Sequence, residues 1–240
     1  MDYTEKVLKS LCLAGVEWEM SVPISYGQTL DQTDIPQCEQ TYFVPKSSAP
    51  KSDTYILECA ENCACNDNIC DGIKSFSAHP LFSGAKNTIL PSLVDRCPVL
   101  IVTDTPSLSD DQCGQILSGT DGELFDKMLS AVGLSRDQVS ITPLVFWRPA
   151  GGRAPTASEI SFCKPFINKI IEQIQPKQIL TLGTIAAQEI AGATLPRDHG
   201  KEFNTGCSEL RVIPIYKPDF VMKNPNVKRD VWDALKQLNF

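Results

Sequence analysis

The sequence has no long apolar stretch. Its best uninterrupted run, Pro98–Val102, is five residues, whereas a membrane-spanning helix needs about 20. The first ten residues, MDYTEKVLKS, lack the basic region, apolar core and small-residue cleavage site of a secretory leader. Histidine is scarce too: the two present, His79 and His199, stand far apart and are expected at the surface without a role. These absences point away from membrane, secreted and fibrous proteins and toward the cytoplasm. What is there fits a globular protein: 240 residues, 42% hydrophobic and 21% charged, enough for one sizeable core and crowded for two.

Charge is unevenly placed. Residues 1–140 carry 9 Lys+Arg against 20 Asp+Glu, and residues 141–240 carry 13 against 9. The overall charge of −7 argues against a generic nucleic-acid coat, while the C-terminal part still permits a basic face. Ten cysteines are many for a chain expected in a reducing compartment, so a disulfide scaffold is not expected. Cys97 and Cys163 lie in apolar surroundings and read as small buried hydrophobes. Cys59, Cys63, Cys65 and Cys70 cluster, but not at the paired C-x2-C spacing of structural zinc sites.

Along the chain, 4–19 has the spacing of an amphipathic helix, and 45–53 (PKSSAPKSD) has the composition of a linker. Little periodicity marks 30–94. Beyond 97 the pattern sharpens. Strands are predicted at Pro98–Val102, Val139–Phe146 (ending or bulging at Pro143), Gln178–Leu182 and Arg211–Tyr216. Between them, 104–119 reads as a long loop. Capping boxes at Thr120–Glu123 and Thr156–Glu159 open helices, with Gly133 closing the first and Pro165 lying inside the second. Helices are also predicted at Thr184–Ala191 and Asp230–Leu238.

Strands alternating with helices predict an α/β fold: a three-layer α/β/α sandwich around a mainly parallel four-stranded sheet. In such sheets ligands bind at the carboxyl ends of the strands. The loops Thr103–Ser107, Trp147–Arg153 and Lys217–Lys223 are therefore expected to meet in one cleft.

The segment ITPLVFWRPAGGRAPTASEISFCKPF, followed by QILTLGTIAAQEIAG and YKPDFVMKNP, resembles the uracil-DNA glycosylase superfamily. It is most similar to the fourth family and its proteobacterial glycosylase-like branch. The resemblance covers 97–240 well and the N-terminal LKSLCLAGVEWEM more weakly. It implies a glycosylase-like domain over 95–240 behind an N-terminal helix, linker and cysteine-rich extension over 1–94. It also implies excision of uracil from DNA, single- or double-stranded, by a protein expected to be a monomer.

Several family positions are substituted. The first motif, GEAPG-like in the family, is here Thr103-Asp104-Thr105-Pro106-Ser107: the acid survives as Asp104 and both glycines are gone. Where the family stacks an aromatic ring on the flipped base, the aligned residue is Leu117. Its uracil-reading Thr-Asn pair is Thr142-Pro143, and its last-motif histidine is Lys217. Phe220, Met222 and Lys223 stand where the family wedges into the duplex, and Ser107, Arg148 and Arg153 are candidate DNA contacts. The resemblance also implies an iron–sulfur cluster on four thiolates. Cys163 matches one ligand, Trp147 stands at another, and no upstream C-x2-C pair exists. No cofactor is assigned; a rearranged [4Fe–4S] set of Cys163 with Cys59, Cys63, Cys65 and Cys70 stays open as an alternative.

Glycosidic cleavage puts positive charge on the sugar and negative charge on the departing base, so it needs an acid or water-positioning group and a donor facing the base. Asp104 and Lys217 are the candidate catalytic pair, with Thr105, Pro106, Leu117, Thr142 and Pro143 around the substrate. Asp104 capping a turn, Arg148 bracing its own loop and Lys217 exposed to solvent remain alternatives. Two functions therefore stay open: a rewired glycosylase, or an inactive descendant binding nucleic acid or a protein through the same cleft. A redox or metal-sensing protein built on the Cys59–Cys70 cluster is a third.

Overall fold

A computed structural model describes residues 53–204 and 210–238, together with two short strands near the N-terminus. The chain divides into two compact units, Met1–Lys51 and Ser52–Phe240. In the first, β1 (Trp18–Met20) pairs antiparallel with β2 (Phe43–Pro45), Trp18 opposite Pro45. The helix expected over 4–19 otherwise lies outside the described residues; its last two positions, Trp18 and Glu19, are extended.

The second unit is organised by strand alternation. In β3 (Val99–Thr103), β5 (Gln178–Leu182) and β7 (Arg211–Ile215), apolar residues fill both faces. Leu100, Val102, Ile179 and Val212 pack against one helical layer. Val99, Ile101, Leu180, Leu182, Ile213 and Ile215 pack against the other. Continuous apolar runs of this kind arise where a parallel sheet is covered on both sides. The first layer contains α1 (Asp53–Ala64), α2 (Ile69–Ser75) and α6 (Ala157–Ile174). The second contains α5 (Gly119–Ala131), α8 (Pro218–Lys223) and α9 (Lys228–Leu235). A short α3 (Pro80–Gly84) begins at His79, whose ring nitrogen accepts the Leu81 N–H at 3.0 Å.

The sheet order is β4-β3-β5-β7-β6. Strand β4 (Ser140–Pro143) ends at Pro143, as the missing ladder donor dictates. β3, β4, β5 and β7 are mutually parallel. A fifth strand, β6 (Phe203–Asn204), adds an antiparallel edge that the two-residue length hid from the sequence pattern. After β3 the chain crosses to β4 on one side; after β5 it passes through α7 (Thr184–Ala191) to β7 on the other. The carboxyl ends of β3 and β5 thus form a topological switch point, where such sheets hold ligands.

Three local expectations are corrected. The stretch 104–119 contains α4 (Leu108–Cys113), opened by a reciprocal Ser107–Asp110 capping box. Helix α5 starts at Gly119 and not through Thr120–Glu123, because Asp110 Oδ1 accepts both the N–H and the hydroxyl of Ser118 and fixes the entry earlier. And 53–84 is largely helical, its Ile56, Ala60 and Ala64 stripe buried against α6. The Thr156–Glu159 box forms as expected, and α6 runs on through Pro165.

Among the described residues no helix is long and apolar enough to cross a membrane.

Candidate functional site

A cavity of about 350 Å³ opens at the switch point, lined by Asp104, Gly183, Thr184, Leu195, Pro196, Tyr216, Lys217, Asp219 and Phe220. Three adjacent strands supply most of the wall, with Asp104 after β3, Gly183 and Thr184 after β5, and Tyr216, Lys217, Asp219 and Phe220 after β7, while Leu195 and Pro196 come from the segment beyond α7. The loop 147–153 lies after β4, one strand further out, and does not line it. Of the three loops expected to converge, two do, and the third place is taken by the turn after β5.

Asp104 is 8% exposed. Its Oδ1 accepts the Ala186 N–H at 2.6 Å, across the gap between two strand ends. The N-cap position of helix α7 is Gly183, which has no side chain to cap the free amides of the first turn. Asp104 supplies the missing cap from the neighbouring strand, where the positive end of the helix favours an anion. The approach requires glycine: a Cβ at Gly183, whose φ is 115°, would collide with the Asp104 carboxylate. Burial pushes the Asp104 carboxyl above the usual range, against the pull of the Ala186 amide and of Lys217.

Lys217 is the N-cap residue of α8, and Pro218 opens the helix. Its ammonium donates to the Thr105 carbonyl at 3.0 Å, across the cavity mouth. Asp219, two residues after Lys217, faces the same cavity, and its charge adds to the burial that raises the Asp121 carboxyl on α5. Asp219 stands inside a motif visible in the sequence, yet nothing there gives it a role. Gly183, Thr184 and Tyr216 escape sequence reasoning as well, because their place depends on strand order.

The other candidates are scattered. Thr105 is half-buried, and Pro106 is buried behind it. Ser107 is engaged in the α4 capping box. Leu117 is 3% exposed, part of the core beneath α5, and its carbonyl accepts from Arg136 at 2.5 Å. Thr142 and Pro143 are buried, the Thr142 hydroxyl donating to the Pro143 carbonyl at 3.2 Å. Arg148 folds back over Gly152 in its own loop. Arg153 makes a two-pronged ion pair with Glu159, at 2.8 and 2.5 Å, whose carboxylate also accepts the Thr156 N–H. Phe220 and Met222 are exposed at 42% and 40%, and Lys223 pairs with Asp219 at 3.6 Å.

Among the described residues the thiols are not gathered around one point. Cys163 is wholly buried, and burial pushes its thiol far up. The core around it is aromatic. Trp147 meets Phe76, Phe82, Phe146 and Phe162 at centroid distances of 5.5–6.4 Å, and its indole N–H donates to Thr88 at 2.9 Å. Cys59, Cys63 and Cys70 pack at the edge of this core, while Cys65 is exposed. Among the described residues, no three His, Cys, Asp or Glu side chains converge on a metal position. The described cysteines therefore do not assemble the four-thiolate set; Cys12, Cys38 and Cys207 lie outside the described residues.

Likeness to known proteins covers the same strands. The family model described as the uracil DNA glycosylase superfamily matches residues 91–237. A protein of Archaeoglobus fulgidus named type-4 uracil-DNA glycosylase is 29% identical over 152 residues, 60% of this chain and 76% of that one. A protein of that name from Sulfurisphaera tokodaii is 30% identical over 152 residues, 60% of this chain and 69% of its own. Another from Saccharolobus solfataricus is 27% identical over 172 residues, 68% and 80% of the two chains. The matched stretch runs from just before β3 into the residues beyond α9, taking in Asp104, Gly183 and Lys217, and on it the chain belongs to the uracil DNA glycosylase superfamily.

Proposed function

We propose that this protein excises uracil from DNA by hydrolysing the N-glycosidic bond, as a step of base-excision repair. One observation carries the reading: a buried carboxylate, Asp104, and an ammonium, Lys217, come from separate strand ends to one cavity at the switch point. In the reaction the bond from the sugar C1′ to the base N1 breaks, and its electron pair leaves with uracil. Water supplies the new C1′–O bond and gives up a proton. Asp104, raised by burial, is the group to position that water and accept the proton. Lys217 faces the negative charge gathering on the uracil oxygens, a role that charge in a shielded site performs well.

The proposed substrate is DNA, with Asp219 and Thr184, which line the cavity, and Thr105 beside Asp104 as proposed contacts of the flipped nucleotide. Arg148, Met222 and Lys223 are proposed at the duplex or single-strand rim, and Arg153 as a brace for the start of α6. The functional domain is proposed to run over 95–240, with 53–94 as its helical buttress. It is proposed to act as a cytoplasmic monomer. A [4Fe–4S] cluster enters no step.

A second reading is favoured by the identity of Thr142 and Pro143, neither of which offers a side-chain amide at the end of β4 to read a uracil edge. Under it the same cleft binds nucleic acid or a protein without turnover. The test is a glycosylase assay with single- and double-stranded oligonucleotides carrying one uracil, followed by alkaline cleavage of abasic sites. Cleavage that is lost in Asp104→Ala and in Lys217→Ala supports excision. No cleavage on uracil or on a panel of damaged bases favours the binding reading.

A further inference from the structure

Three rings stand in a column beside the cavity. His199 stacks on Tyr216 with centroids 4.2 Å apart and planes 26° apart. Tyr216 stacks on Phe220 at 4.8 Å and 29°. Phe220 ends the column: among the described residues Tyr216 is its one ring partner, and it remains 42% exposed while lining the cavity. A phenyl ring left this open beside Asp104, Lys217 and Asp219 is an apolar face in a charged pocket. A flat ligand would cover it at little loss of hydration.

The chain geometry makes the ring a rigid one. Phe220 lies one turn after Lys217, its N–H donating to the Lys217 carbonyl at 3.0 Å. Ring and ammonium are thus carried by the same short turn, and the column behind Phe220 limits its rotation before any ligand arrives. Leu117, aligned with the stacking aromatic of the family, is enclosed in the core and cannot meet a base in the cavity.

We infer that the open face of Phe220 is the platform on which the flipped pyrimidine stacks, with Tyr216 as its positioning residue and His199 closing the column. This rests on the uracil-excision reading and names the part of the site that grips the base. The base becomes a fourth ring, its edge turned toward Lys217. Recognition of this kind selects for a flat aromatic ligand over a puckered one with the same hydrogen-bonding edge.

The test pairs excision kinetics with binding of two free bases, uracil and 5,6-dihydrouracil, measured by NMR titration. The dihydro compound keeps the carbonyls and N–H of the edge but loses the flat π system. The wild-type protein is expected to prefer uracil. Phe220→Leu is expected to lower kcat/KM for excision by roughly 5- to 150-fold, the range set by base–aromatic stacking. It should also erase the preference between the two bases, and Phe220→Tyr should restore both. Excision and preference that are unchanged in Phe220→Leu overturn the platform and leave the excision reading standing. A wild-type protein that neither excises uracil nor binds either base overturns the excision reading, and the platform falls with it.

Discussion

The ammonium of Lys217 donates to the carbonyl of Thr105 at 3.0 Å, tying the loop after β7 to the loop after β3 across the mouth of the cavity. The bond spans two strands that are not neighbours in the sheet, since β5 lies between them. It holds the charge at a fixed place before a substrate enters, which is the condition under which a charge stabilises a transition state most.

Lys217→Ala removes that charge. Single-turnover excision is expected to fall by about 100- to 1,000-fold, with little change in oligonucleotide binding. Lys217→Arg should recover part of the rate. A rate loss explained wholly by weaker binding would remove Lys217 from the chemistry.

Asp104 gives a prediction with a sign. Its folded pKa is raised, chiefly by burial. Keeping it ionised therefore costs stability, and the cost appears as pH rises from the ordinary carboxylate range through the raised value. Asp104→Asn removes the cost and keeps an oxygen for the Ala186 amide. The variant is expected to melt at the same temperature or higher at neutral pH, while losing excision by about 100-fold or more. Wild-type excision should rise with pH through the same window.

Glu159 has the opposite sign. The Arg153 guanidinium holds its carboxyl below the usual range, with the Thr156 amide assisting. It contributes stability that is present above its ordinary pKa and is lost as pH falls through the lowered one. Glu159→Ala breaks the ion pair and the capping box together, and is expected to cost about 1–3 kcal/mol in urea unfolding at pH 7. Glu159→Gln should cost less and flatten the acid limb of the stability profile.

Trp147 carries the fourth prediction. It is fully buried, and Trp147→Ala is expected to destabilise by about 3–5 kcal/mol. Trp147→Phe keeps a ring but leaves the Thr88 hydroxyl without its donor, for a smaller loss of about 1 kcal/mol. Cys163→Ala should leave the iron content of anaerobically purified protein unchanged. A drop in bound iron would show that the Cys163 thiol holds metal.

The sequence made some parts legible and hid others for physical reasons. Gln178–Leu182 and Thr184–Ala191 could be read to the residue, because a short segment rich in Ile and Leu stops at Gly183 and the stretch beyond it is rich in helix formers. Helix α4 was hidden because it buries carboxylates: Asp110 and Asp111 point inward, to Ser118 and to the amides of Lys86 and Asn87. No apolar period could reveal it. Helix α1 was masked by small residues, Ala60 and Ala64, on its buried face. In the site, Asp104 and Lys217 were visible as polar residues after apolar strands. Tyr216 and Gly183 were not, since only the order β3-β5-β7 brings the turn after β5 into the cavity wall.

The clasp between Asp104 and the backbone at Gly183 constrains how this pocket can evolve or be redesigned. The two positions are 79 residues apart in the chain, yet neither can vary freely alone. A side chain at 183 evicts the carboxylate, and a side chain without an oxygen at 104 leaves the Ala186 amide bare. A library that randomises the pocket one position at a time would find both sites nearly immutable. Retuning toward another base would have to move the pair together, or proceed elsewhere on the wall, at Phe220 and Leu195, where side chains and not backbone set the shape.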